Sequence, residues 1–155
     1  MVLDRRTDVY DERGFDRACS VAISALHAGW RSDDALRFLT TSPSSLTEVR
    51  SRNDLDAIDE QLALLTTSRD ASLIRTIDDL ARIGRGGTVV IITGSPGTEL
   101  DAAVDRARRV FGTVLPVVCQ SAQDTPPPAN TTSYILHDGT TDFAMAWAGA
   151  FRSAS

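Results

Sequence analysis

The sequence predicts an α/β domain: a mainly parallel sheet with helices on both faces. Strand-like and helix-like stretches alternate along the chain, the mark of βαβ units. The stretch "TVVIIT" (Thr88–Thr93) is β-branched and apolar on both faces, as a strand buried in mid-sheet is. The first long helical stretch carries one apolar stripe, so it has a single face to lay on such a sheet.

Taken in order, Val2 and Leu3 read as the end of a short first strand. A helix over residues 12–30 follows. Phe15, Ala18, Cys19, Ala22, Ile23, Leu26 and Trp30 recur at three- and four-residue steps, with Asp11 as N-cap. "ALRFLTT" (residues 35–41) is the second strand, and the run from Ser42 to Ser45 breaks it. "SLTEVRS" (45–51) reads as a short edge strand pairing back. Asn53 or Asp54 then caps a helix carrying Leu55, Ile58, Leu62 and Leu65. The next helix turns Leu73, Ile77, Leu80 and Ala81 inward and stops at Gly84, Gly86 and Gly87. After Thr88–Thr93 come a helix over residues 100–111, a stop at Gly112, and the buried strand "TVLPVVC" (Thr113–Cys119). Pro116 cannot donate a ladder hydrogen bond, so it hints at an edge or a bulge. "QDTPPPANTT" reads as a solvated connector, "SYILH" as a last strand and "DFAMAWAGAF" as a last helix.

The chain has 155 residues, enough for one domain with a real core, and shows no internal repeat. Its net charge of -5 argues against a general nucleic-acid binder, which needs a basic face. All of its basic residues are arginines, so a Walker A lysine, a Schiff base and a catalytic Lys are excluded. Cys19 and Cys119 belong to no C-x-x-C pair and read as buried free thiols, which suits a cytoplasmic, soluble segment. No apolar run is long enough to span a bilayer.

In a doubly wound sheet, ligands bind at the carboxyl ends of the strands. Here those ends are residues 4–8, 40–42, 93–95 and Gln120. The glycines of "GRGGTVVIITGSPG" flank a strand and do not form G-x-G-x-x-G. The Gly94–Gly97 turn could still cradle a phosphate at the next helix N-terminus, which leaves a small enzyme or nucleotide-binding domain as the alternative reading. Glu99 would repel such a phosphate, and a tight strand-to-helix turn is the simpler account. No G-x-S-x-G elbow is present, and neither His27 nor His137 has a nucleophile beside it in the sequence, so both read as structural or surface residues.

The order of elements carries a resemblance. It consists of a strand ending "LD", an F-x-R-A-x-S-x-A-x-S helix from Phe15, a strand with "LRFLTT", and a helix pair around "ASLIRTIDDLA". This resembles the C-terminal half of the bacterial Domain of Unknown Function 58 family. That group is von Willebrand factor A-like and often encoded beside MoxR-type AAA+ ATPases. The resemblance runs from Val2 to about Gln120, and more loosely to Trp147.

It implies one von Willebrand A-like, Rossmann-like domain over residues 1–155, expected to be a fragment of a longer, membrane-anchored protein. It also implies a metal loop of the form D-x-S-x-S, a Thr in a second loop and an Asp in a third. On this chain those positions fall on Asp4, Arg6 and Asp8, then Ser72, then Thr93-Gly94, where a carboxylate would be expected at Gly94. A guanidinium in place of one ligand repels a divalent ion and can neutralise Asp4 itself. The expectation is therefore a degenerate metal site in which Arg5 or Arg6 pairs with Asp4, with no cofactor. The implied function is a non-catalytic protein-interaction or scaffold module whose rim is formed by Asp4, Arg5, Arg6, Asp8, Ser72, Thr93, Gly94 and Ser95. A MoxR-type ATPase or one of its clients is the implied partner, with no nucleic acid and no membrane contact by this segment.

Overall fold

The structure, a computed structural model, describes residues 1–42, 45–120 and 135–137. The elements run β1 (Val2–Leu3), α1 (Gly14–Arg31), β2 (Leu36–Thr40), β3 (Leu46–Val49), α2 (Arg52–Ala63) and α3 (Leu73–Ile83). They continue with β4 (Thr88–Thr93), α4 (Thr98–Arg108), β5 (Thr113–Cys119) and β6 (Ile135–His137). A single 3₁₀ turn, Thr7–Val9, sits between β1 and α1. The proline-rich stretch and the helix expected over residues 142–151 lie outside the described residues.

The six strands are ordered β3-β2-β1-β4-β5-β6. That is the 3-2-1-4-5-6 order of a Rossmann-like sheet, with its switch point between β1 and β4. All pairs are parallel except β2 with β3, which run antiparallel, so β3 is the edge strand that the sequence suggested. Four residues long and carrying Glu48, it is blunted against pairing with another chain.

The alternation of β4 shows how the core divides. Val90 and Ile92 pack with Leu3, Phe38 and Val117 against the inner faces of α1 and α2. Val89 and Ile91 pack with Val2, Leu39 and Val118 against α3 and α4. Period-two strands thus feed two separate apolar layers, one per face, which is why the centre of β4, Val89 to Ile92, is apolar on both faces.

Several ends differ from the sequence reading. The helix α2 is capped by Ser51, with Asp54 at its third position, and not by Asn53 or Asp54. Ser51 Oγ accepts from the Asp54 N–H while the Asp54 carboxylate accepts from the Ser51 N–H, a reciprocal capping box. Asp11 accepts from the Arg13 N–H one turn before α1, whose N-cap position is Arg13. The helix α4 begins at Thr98, directly after the Gly97 turn, and ends at Arg108. Pro116 makes no bulge: the β4–β5 register is continuous, and Pro116 falls one residue before the β6 pairing begins at Val117. Gly86 and Gly87 both take left-handed backbone (φ 77° and 72°), the turn that returns α3 into β4.

Candidate functional site

The topology brings the end of β1 beside the end of β4, at the switch point. Asp4 continues the ladder there, its N–H donating to the Ile92 carbonyl at 2.8 Å. Its carboxylate is fully buried. Thr93 Oγ1 donates to Asp4 Oδ2 at 2.8 Å, and the Arg6 backbone N–H donates to Oδ1 at 3.1 Å. The Arg6 guanidinium closes over the same carboxylate. Nε lies 3.2 and 3.0 Å from the two oxygens, and Nη2 donates to Oδ2 at 2.7 Å.

The third guanidinium nitrogen points the other way. Arg6 Nη1 donates to Glu99 Oε2 at 2.6 Å. Glu99 stands in the first turn of α4, and its other oxygen accepts the backbone N–H of Leu73 at 2.9 Å, at the start of α3. One arginine thus ties β1 to the N-termini of two helices. Burial alone would lower the pKa of Arg6, but the hydrogen bond to Asp4 and the charges of Asp4, Glu99 and Asp8 raise it above the ordinary value.

Tyr10 forms the lid of this crevice. Its hydroxyl donates to the Asp4 carbonyl at 2.5 Å, and its ring packs edge-on to Phe15 with centroids 5.2 Å apart. Burial, with Asp4 beside it, pushes the phenol well above its usual range. The lid explains Gly94. A Cβ there would lie 2.2 Å from the Val9 carbonyl oxygen and 2.4 Å from a Tyr10 ring carbon. The third loop therefore has no room for the carboxylate that the resemblance implies.

Arg5, next in sequence to Arg6, does different work. Its N–H donates to Thr41 Oγ1 and its Nε to the Thr66 carbonyl, both at 2.8 Å. Ser68 bonds to this segment from both sides: its N–H to the Arg5 carbonyl at 2.6 Å and its carbonyl to the Thr7 N–H at 3.3 Å. The loop between α2 and α3 is thereby zipped to the end of β1. Of the two arginines expected to neutralise Asp4, the structure assigns the role to Arg6; burial lowers the pKa of Arg5.

Ser72 is the N-cap of α3, and its hydroxyl accepts from the Arg75 N–H. It lines a cleft of about 170 Å³ with Thr41, Asp70 and Thr76, beside the Asp4 crevice and not in it. The opposite side of the α2–α3 loop faces a groove of about 450 Å³ lined by Arg6, Thr7, Asp8, Arg69, Ala71 and Glu99. Alternate residues of that loop, Arg69 and Ala71 against Asp70 and Ser72, thus line the two depressions. Asp8 is exposed on the 3₁₀ turn at the groove's edge. Ser95 follows Gly94 on the β4–α4 turn and is half-buried.

Glu99 and Tyr10 were not among the sequence candidates. Glu99 read as a charge that would repel a phosphate, and its bond to Arg6 spans 93 residues, with no local pattern to announce it. The signal available was topological: Glu99 opens the helix after β4, next to β1 at the switch point. His27 is satisfied structurally, its Nε2 2.8 Å from Asp59 Oδ2 across the α1–α2 contact.

These residues do not fit a divalent ion. A guanidinium already holds Asp4 and Glu99, Gly94 cannot be replaced by a ligand, and the Ser72 hydroxyl caps a helix. Among the described residues no group of three or more His, Cys, Asp or Glu side chains could hold a metal. No protein-family model matches the chain, and no curated protein matches it in sequence.

Among the described residues, no helix is long and apolar enough to cross a membrane.

Proposed function

We propose that this chain is a non-catalytic protein-interaction module with a von Willebrand A-like fold and a degenerate metal site. One observation carries the reading. The switch-point crevice, where a Rossmann-like sheet ordinarily takes its ligand, is filled by the chain's own Asp4, Arg6, Glu99 and Tyr10. What remains open is the outer rim: a groove edged by the exposed Asp8 and Arg69, with the smaller Ser72 cleft on the other side of the α2–α3 loop. A rim of mixed exposed charges suits recognition of another protein's surface, where complementary charge sets register and partner choice. The resemblance to the Domain of Unknown Function 58 family suggests a MoxR-type ATPase, or a client that such an ATPase remodels, as that partner.

The alternative, a phosphate-binding site on the Gly94–Gly97 turn, has less support. The first turn of α4 carries both Glu99 and Asp101, which oppose an anion at that helix end. Gly94 itself is packed under Val9 and Tyr10.

The test is a pull-down of MoxR-type ATPases and their clients by wild-type protein and by a charge-reversed Asp8→Arg, Arg69→Glu double variant, with and without EDTA. Retention by the wild type, unaffected by EDTA and lost in the double variant, is the expected result. Binding that EDTA abolishes, or that survives the charge reversal, contradicts the proposal.

A further inference from the structure

We infer that Asp4 and Glu99 form a guanidinium-binding site, selective for that group over a divalent ion, which the chain fills with its own Arg6. The inference rests on the cluster's geometry alone and stands whether or not the rim binds a partner.

Each guanidinium nitrogen has a carboxylate partner: Nε and Nη2 on Asp4, Nη1 on Glu99. The two acids are therefore spaced for a planar, three-nitrogen cation. The remaining contacts on them are donors. The Thr93 hydroxyl and Arg6 N–H point at Asp4, and the Leu73 N–H points at Glu99. Such donors use lone pairs that an ion demanding six oxygens at about 2.0–2.1 Å would need. A third carboxylate is barred at Gly94 by the Val9 carbonyl. The guanidinium, more weakly hydrated than a small divalent ion, also enters a half-buried site at lower cost. The groove of about 450 Å³ opens on Arg6 and Glu99, so a small solute can reach the acids once the Arg6 side chain is removed.

Chemical rescue tests this. The Arg6→Ala variant should unfold at a temperature lower by on the order of 10 °C, because a buried carboxylate loses its partner. Methylguanidinium at tens of millimolar should then raise the variant's Tm saturably, beyond NaCl of equal ionic strength, and leave wild type unchanged. Mg²⁺ and Mn²⁺ should give no such gain. Adding Glu99→Gln to Arg6→Ala should abolish the rescue. Recovery by Mn²⁺ equal to that by methylguanidinium, or no saturable recovery by methylguanidinium, overturns the inference. If Arg6→Ala does not fold, Arg6→Lys decides. Lysine keeps the charge but cannot span both acids, so this variant should melt well below wild type and ignore Mn²⁺. Wild-type stability in Arg6→Lys, or a gain with Mn²⁺, overturns the inference equally.

Discussion

Two places in the molecule use the same arrangement, one charge bracketed by two opposite ones. At the switch point Arg6 lies between Asp4 and Glu99, with side chains 12%, 0% and 31% exposed. On the β2–β3 hairpin Glu48 lies between Arg37 and Arg50, with side chains 32%, 44% and 80% exposed. The Arg6 group joins elements that are far apart in sequence, and its removal strands a buried carboxylate. The Glu48 group joins neighbours on an edge, where water takes over from whichever partner leaves. Burial, more than the number of ion pairs, decides which arrangement the fold depends on.

The sharpest separation of the two comes from Asp4. Asp4→Ala removes the buried anion from Arg6 and the acceptor from Thr93, and should cost about 3–5 kcal/mol in a urea unfolding titration. A loss below about 1 kcal/mol would mean that the crevice is no more than a surface pair. Next in size is Gly94→Ala. Its Cβ collides with the Val9 carbonyl and the Tyr10 ring, which should cost about 3 kcal/mol by overpacking. Native-state hydrogen exchange should show that the variant also loosens the lid, as faster exchange at Tyr10. Ser51→Ala removes the cap of α2, near the hairpin, and should cost about 1 kcal/mol, more than any single hairpin charge.

The smallest effect belongs to Glu48. The hydrogen bond from Arg50, with the charges of Arg50 and Arg37, holds its carboxyl below the usual range. A lowered carboxylate stabilises the fold above its unfolded value near 4.5, and that contribution is lost as pH falls below it. Because both arginine partners are exposed, the contribution should vanish in molar salt, and Glu48→Gln should lower the Tm at pH 7 by less than Ser51→Ala does.

The same contrast explains what could be read from the sequence. The sheet was legible because its signals are local and strong. "TVVIIT" reads as a two-faced strand without any partner, and β5 lies over the predicted residues, Thr113–Cys119. The pairing of Asp4 with one of the two following arginines was legible too, since both lie within two residues of it. Which arginine was not, because Arg5 is diverted by Thr41 and Thr66, residues that only the fold brings near. Gly94 read as a ligand that had been lost. In the structure its meaning is steric, set by Val9 and Tyr10 more than 80 residues earlier. Ser72, the second-loop ligand that the resemblance implies, is in the structure the N-cap of α3. For Arg5 and Gly94 the element was visible and the long-range partner was not.

The central claim is that the switch-point acids Asp4 and Glu99 are held by the chain's own Arg6 and leave no place for an exchangeable divalent ion. Calorimetric titration of wild-type protein with Mn²⁺ tests it most directly. With Arg6 on Asp4 and Glu99, the titration should show only heats of dilution. Saturable binding at micromolar concentrations would show that a divalent ion holds the site, and would contradict the account.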